Sequence, residues 1–97
     1  MAIAITVDPA SNNITVAPTA AYFHPGDQVT WESNAQSLTL TFKDQSPFDT
    51  MHVTGGAAAN AQIPANSPKG CTYHYSVAAL VNGTIYVIPG CPEIIVQ

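Results

Sequence analysis

Few side chains in this sequence can do chemistry: Cys71 and Cys91, His24, His52 and His74, and Met51 beside His52. A metal site needs three or more donors converging, so His24, Met51, His52 and His74 are the set from which a non-standard site for copper or another soft metal would be drawn. Against that stands the plainer reading of three unrelated surface histidines. Nucleophilic catalysis needs a Ser or Cys beside a base that a third group holds. The chain has neither a G-x-S-x-G elbow nor an H-E-x-x-H motif. Its acids Asp27, Glu32, Asp44 and Asp49 are spread over turn sequences, the ordinary distribution of solubilising charge. The expectation is a protein that is not an enzyme and carries no cofactor.

The elements that must position these residues are strands. In the segment from Gly70 to Gln97, Tyr73, Tyr75 and Val77 alternate with Thr72, His74 and Ser76, the period of a strand with one buried face. Val81-Asn82-Gly83-Thr84 supplies an Asn-Gly turn between two apolar runs, a strong hairpin signal. Upstream, Ala2 to Val7 and Ile14 to Val16 read as strands split by Asp8-Pro9 turn chemistry. His24-Pro25-Gly26-Asp27 is a tight turn that launches Gln28 to Glu32, with Val29 and Trp31 on one face. Leu38, Leu40 and Phe42 alternate with Thr39 and Thr41, and Phe48 follows as an anchor under one end. Met51 to Ala61 is Gly- and Ala-rich and weakly patterned, open to an edge strand at Met51-His52-Val53, another near Gln62-Ile63, or a short helical turn. Tyr22 and Phe23 sit in an irregular crossing; as neighbours on extended chain they point opposite ways, so this pair is the place to look for a partner patch. About seven or eight short strands with no long helix predict an all-β sandwich, one domain over residues 1–97.

Composition narrows the partners. Hydrophobic residues make up 46% of the chain, as in ordinary globular proteins. Charged residues make up only 8%, against a usual ~25%. Two lysines, Lys43 and Lys69, face six acids, for a net charge of -4. That balance argues against nucleic acid and against an anionic membrane surface, both of which take their affinity from clustered cations. No apolar run reaches the ~18 to 20 residues of a membrane span. The first seven residues lack the pattern of a signal peptide, leaving either a cytoplasmic protein or an exported one whose leader was removed. Asn13-Ile14-Thr15 and Asn82-Gly83-Thr84 fit the glycosylation pattern, but the second is already explained by its turn.

Three landmarks, in order, resemble the cupredoxins, the small blue-copper β-sandwiches. Pro25-Gly26-Asp27-Gln28-Val29-Thr30-Trp31 is similar to the family's P-G-D-x-V-x-W/F strand. Leu38 to Phe42 falls where the family carries a first copper-binding His followed by an apolar strand ending in Phe. Gly70-Cys71-Thr72-Tyr73-His74-Tyr75 resembles the G-x-Y-x-Y strand that leads to the remaining ligands. The resemblance implies a Greek-key sandwich of cupredoxin-like type. It does not bring the copper site with it: Leu38 stands at the first His position, Val77 at the thiolate position, and Ala78 to Gly90 holds no His or Met. The chain is more similar to copper-free, cupredoxin-like domains of bacterial proteins. The function this implies is a binding or assembly module, its partner an unidentified protein or a second copy, with metal handling as the alternative.

Strict pairing out from Val81 opposite Thr84 sets Cys71 opposite Ile94 and Cys91 opposite His74. The two cysteines are then three residues from facing each other, a gap that a bulge at Pro89-Gly90 absorbs. A disulfide there closes a loop of about twenty residues and contributes ~3 kcal/mol; two inert thiols, or a reactive or metal-binding pair, are the other readings. The bridge predicts an intact mass unchanged by alkylation until reductant is added, and immediate labelling of both thiols removes it.

Overall fold

The computed structural model describes residues 2–89 and 92–97, leaving Met1, Gly90 and Cys91 outside. They form ten strands: β1 (Ala2–Asp8), β2 (Asn13–Ala17), β3 (Ala20–Phe23), β4 (Gln28–Ser33), β5 (Ser37–Phe42), β6 (His52–Gly55), β7 (Ala58–Gln62), β8 (Cys71–Val81), β9 (Thr84–Ile88) and β10 (Glu93–Val96). One sheet runs β2-β1-β4-β7, and the other runs β3-β10-β8-β5-β6 with β9 also paired to β8. Strands β1 and β4 pair in parallel, as do β10 and β3, so the order is non-sequential and the chain crosses repeatedly between layers.

The strand count exceeds the expected seven or eight for identifiable reasons. The weakly patterned stretch after Met51 makes two strands, β6 and β7, in different sheets. The irregular crossing before Pro25 contains a four-residue strand, β3. Pro89 ends β9, and the chain rejoins the sheet as β10.

Local chemistry explains the joints. Asn82 and Gly83 adopt φ of 50° and 79°, the two positive values that a tight hairpin of this hand demands, and Val81 pairs with Thr84 as the Asn-Gly signal requires. Asn34 ends β4 by acting as one more peptide: its Oδ1 accepts from Val7 N at 2.9 Å and its Nδ2 donates to Val7 O at 2.8 Å. The β1–β4 ladder thereby continues past Ser33 through a side chain.

Between the sheets lies a core in which alternate residues of each strand meet: Ile3, Ile5 and Val7 from β1, Val29 and Trp31 from β4, Leu38, Leu40 and Phe42 from β5. Strand β8 adds Tyr73, Tyr75, Val77 and Ala79, and β10 adds Ile94 and Val96. The alternation read from the sequence is the alternation of burial.

Strand β6 passes to β7, and so from one sheet to the other, through Gly55-Gly56. A Cβ at Gly55 would collide with the Ala58 carbonyl oxygen and lie 2.9 Å from Ala59 Cα. Backbone cannot yield there as a flexible side chain could. Gly55→Ala is expected to destabilise the fold by about 1–3 kcal/mol, the range for overpacking, whereas Gly56→Ala, whose Cβ meets nothing nearer than Gln36 O at 3.7 Å, leaves the denaturant midpoint nearly unchanged. Equal effects of the two would remove this account.

Candidate functional site

The residues singled out from the sequence are not brought together. His24, after β3, places Nδ1 3.1 Å from the Gln97 carbonyl oxygen. His52 starts β6, its Nδ1 3.3 Å from Thr41 Oγ1. His74 is on β8 facing outward, its Nδ1 3.6 Å from Glu93 Oε2 in a half-exposed pair. His52 and His74 share the outer face of one sheet, but β5 runs between β6 and β8 and keeps them two strands apart. Met51 is exposed next to His52. Among the described residues, no three His, Cys, Asp or Glu side chains gather in a metal-binding cluster.

Register corrects the expected geometry around Cys71. The ladder of β8 with β9 pairs Val77 with Ile88, but that of β8 with β10 pairs Glu93 with His74 and Val96 with Cys71. The residue opposite Cys71 is therefore Val96 and not Ile94, a slip of two residues accommodated between Ile88 and Glu93. Cys71 itself is half-buried against the core, and Cys91, the other half of the expected bridge, lies outside the described residues.

Of the expected partner patch, Phe23 points into the core while Tyr22 is 56% exposed. Adjacent residues on a strand take opposite faces, so the patch reduces to Tyr22.

An open cleft of about 430 Å³ lies against β6 and β7, walled by Phe48, Asp49, His52, Thr54, Asn60 and Gln62. Its polar groups are largely engaged: Asn60 Oδ1 accepts from Thr30 Oγ1 at 2.8 Å, and Gln62 Nε2 donates to Gly26 O at 3.2 Å. The imidazole of His52 meets a hydroxyl, but among the described residues no carboxylate pairs with its ring. A base without an orienting acid beside the half-buried Thr41 falls short of a nucleophilic triad.

The sequence signals passed over a different surface. The outward side chains of β9 are Ile85 and Val87, exposed by 65% and 57%. They stand opposite Leu80 and Ala78 of β8, which in turn face Ser37 and Thr39 of β5. The result is a shallow apolar depression of about 150 Å³ on the outer sheet face. Only the Asn-Gly turn marked this hairpin in the sequence, because the apolar run Ile85 to Ile88 reads equally well as fully buried strand.

No family model and no curated protein matches the chain. Its structure is similar to that of a solved protein, the reduced Cu(I) form at pH 4 of an amicyanin variant, with a TM-score of 0.51, 15% sequence identity, and coverage of 99% of this chain and 82% of that one. At that identity the likeness speaks for the fold. The chain is a cupredoxin-like β-sandwich, as its Pro25–Trp31 and Gly70–Tyr75 segments imply.

Fold and metal part company at the ligands. Leu38 and Val77, the residues that the sequence resemblance sets at ligand positions, are buried aliphatic side chains inside the core. A trigonal blue-copper centre requires two imidazoles and a thiolate, and these residues do not fit it.

Where Phe42 of β5 meets Tyr75 of β8, the core holds an aromatic cluster. Trp31 lies edge-on to Phe48 and to Tyr75, with centroids 6.0 and 5.9 Å apart, and Phe42 completes the group 5.2 Å from Tyr75. Trp31 Nε1 donates to Tyr75 Oη at 3.3 Å. Burial pushes the Tyr75 phenol above its ordinary value, against a smaller opposing pull from the Trp31 hydrogen bond. Burial also raises Tyr73, assisted by its neighbour Cys71.

A phenol whose pKa is higher folded than unfolded holds its proton more tightly in the folded state. Its contribution to stability is complete below the unfolded value near 10 and is lost as pH climbs through the folded value. Tyr75→Phe strands the Trp31 N–H and is expected to cost about 1–2 kcal/mol at pH 7. The deficit should narrow above about pH 10, where the wild type alone loses the Tyr75 contribution. Chemical denaturation at pH 7 and pH 11 checks this; a deficit that stays constant contradicts it.

Proposed function

We propose that this chain is a non-catalytic, cupredoxin-like association module, working through the apolar outer face of the β8–β9 hairpin and the open edge beside it. The carrying observation is the pair Ile85 and Val87, large aliphatics left in water next to Leu80 and Ala78. Apolar surface concentrated on one sheet face and rimmed by Ser37 and Thr39 is the pattern of a protein-contact site.

Charge supports a protein partner over a polyanion: two lysines, one on each side of a long loop-and-strand segment, make no phosphate-binding stripe. The absence of catalysis in this reading is supported by the engaged polar groups of the β6–β7 cleft and by the buried aliphatics at the aligned copper positions.

A photo-crosslinking residue placed at position 39, in the middle of the outer face, should give covalent protein adducts in its host cells. The same residue at position 13, on the exposed end of β2 in the other sheet, should give few or none. Equal yields from both positions, or none from either, would reject the proposed surface.

A further inference from the structure

The geometry points to a second copy of this chain as the occupant of that surface, joined by antiparallel pairing of β9 with β9 about a two-fold axis at Tyr86. The inference rests on the association reading above and names its partner.

Strand β9 is hydrogen-bonded on one side only. It pairs with β8 from Val77–Ile88 to Val81–Thr84, and no other backbone or side-chain hydrogen bond among the described residues reaches it. An unpaired strand edge is a template for another strand, and proteins ordinarily blunt it with Lys, Pro, bulges or an inward-pointing charge. Thr84-Ile85-Tyr86-Val87-Ile88 contains none of these. Three of the other edge strands are polar outward: β2 shows Asn13 and Thr15, β6 His52 and Thr54, β7 Asn60 and Gln62. The fourth, β3, is apolar but only four residues long and is followed by Pro25.

Three features select a copy of the same chain. The first is charge. Between Lys69 and Glu93 there is no Asp, Glu, Lys or Arg. Two molecules of net charge -4 can therefore meet at this hairpin without opposing like charges across the contact, while a partner recognised by charge would find nothing to read.

The second is self-complementarity. Antiparallel pairing centred on Tyr86 sets Ile85 opposite Val87 of the second copy, and Val87 opposite its Ile85. All four side chains then lie on the same outer face, continuing the Leu80 and Ala78 rows of both molecules. A non-hydrogen-bonded or hydrogen-bonded aliphatic cross-strand pair of this kind is a favourable unit of sheet stabilisation.

The third is closure. An isologous contact uses the same five residues on both sides, so it ends at two copies. The strand spans only ~17 Å, so the contact falls toward the low end of specific interfaces, below ~1,200 Å². The dimer is accordingly of the weak, reversible kind.

Sedimentation velocity of the full chain from about 10 μM to 1 mM should show a concentration-dependent monomer–dimer equilibrium. Val87→Lys, which puts a charge on the outer face without entering the core, should weaken it at least about tenfold; Tyr22→Lys, on β3 and level with Thr72 of β8 where Val87 is level with Ala78, should leave it unchanged. In the wild type, amide exchange in β9 should slow as concentration rises, a reading of the same contact that needs no variant.

Association lost in Tyr22→Lys but kept in Val87→Lys would overturn the β9 pairing and leave an association module standing. A strictly monomeric wild type would also overturn it. In that case adducts of a different protein from position 39 would preserve the association reading, and no adducts would end both.

Discussion

Two sheets that share no ladder are held face to face by what lies between them, and here that is the ring system around Trp31. Trp31 enters from β4, Phe42 and Tyr75 from β5 and β8 of the opposite sheet, and Phe48 from the loop after β5. Edge-to-face contacts fix relative orientation as well as distance, so this group sets how the layers sit. Trp31 and Tyr75 also bring polar atoms into the dry interior. One hydrogen bond, from the Trp31 N–H to Tyr75 Oη, joins them, and among the described residues no buried side-chain nitrogen or oxygen is left without a partner. That bond lets the core hold two amphipathic aromatics side by side.

The same packing supports the reading that this chain keeps the fold without a copper centre at the two positions the resemblance marks. Leu38 and Val77 put branched carbon there, and both are fully enclosed. An aliphatic side chain in such a position adds apolar contact area, about 1.5–3 kcal/mol for each fully buried residue, where a ligand residue without its metal would be a buried polar group seeking a partner. At these two positions the core is self-consistent without an ion.

The sequence made the inward faces legible because period-2 alternation is a direct record of burial. Val29 with Trp31, Leu38 with Phe42, and Tyr73 with Tyr75 fall where the pattern places them. The Asn-Gly turn was equally direct, since few residue pairs tolerate two positive φ values. What eluded sequence reasoning has a common cause: it depends on partners distant in the chain. Strands β6 and β7 are specified by their neighbours β5 and β4 more than by their own small residues. The two-residue slip that sets Val96 against Cys71 arises from the parallel docking of β10 on β3, which fixes Val96 beside Phe23. Of the surface, Tyr22 was within reach because neighbours on a strand must diverge. Ile85 and Val87 were not, because an apolar strand carries no sign of whether its second face is covered.

An uncovered apolar edge is a hazard as well as an opportunity, and the limits of β9 bear on which it becomes. Pairing that used β9 of one copy and a different edge of the next would leave a free edge at each step and propagate into a fibre. Here the edges β2, β6 and β7 are polar and β3 is one residue shorter than β9, while Pro89 stops β9 from lengthening in the C-terminal direction and the Asn82-Gly83 turn stops it at the other end. Only five residues can pair, and another β9 offers them an uncharged apolar match of the same length. With charge confined to residues outside the hairpin, screening over ~8–10 Å at moderate ionic strength removes most of the remaining repulsion between copies. Short length, bounded ends and self-matching side chains together favour a closed pair over an open chain.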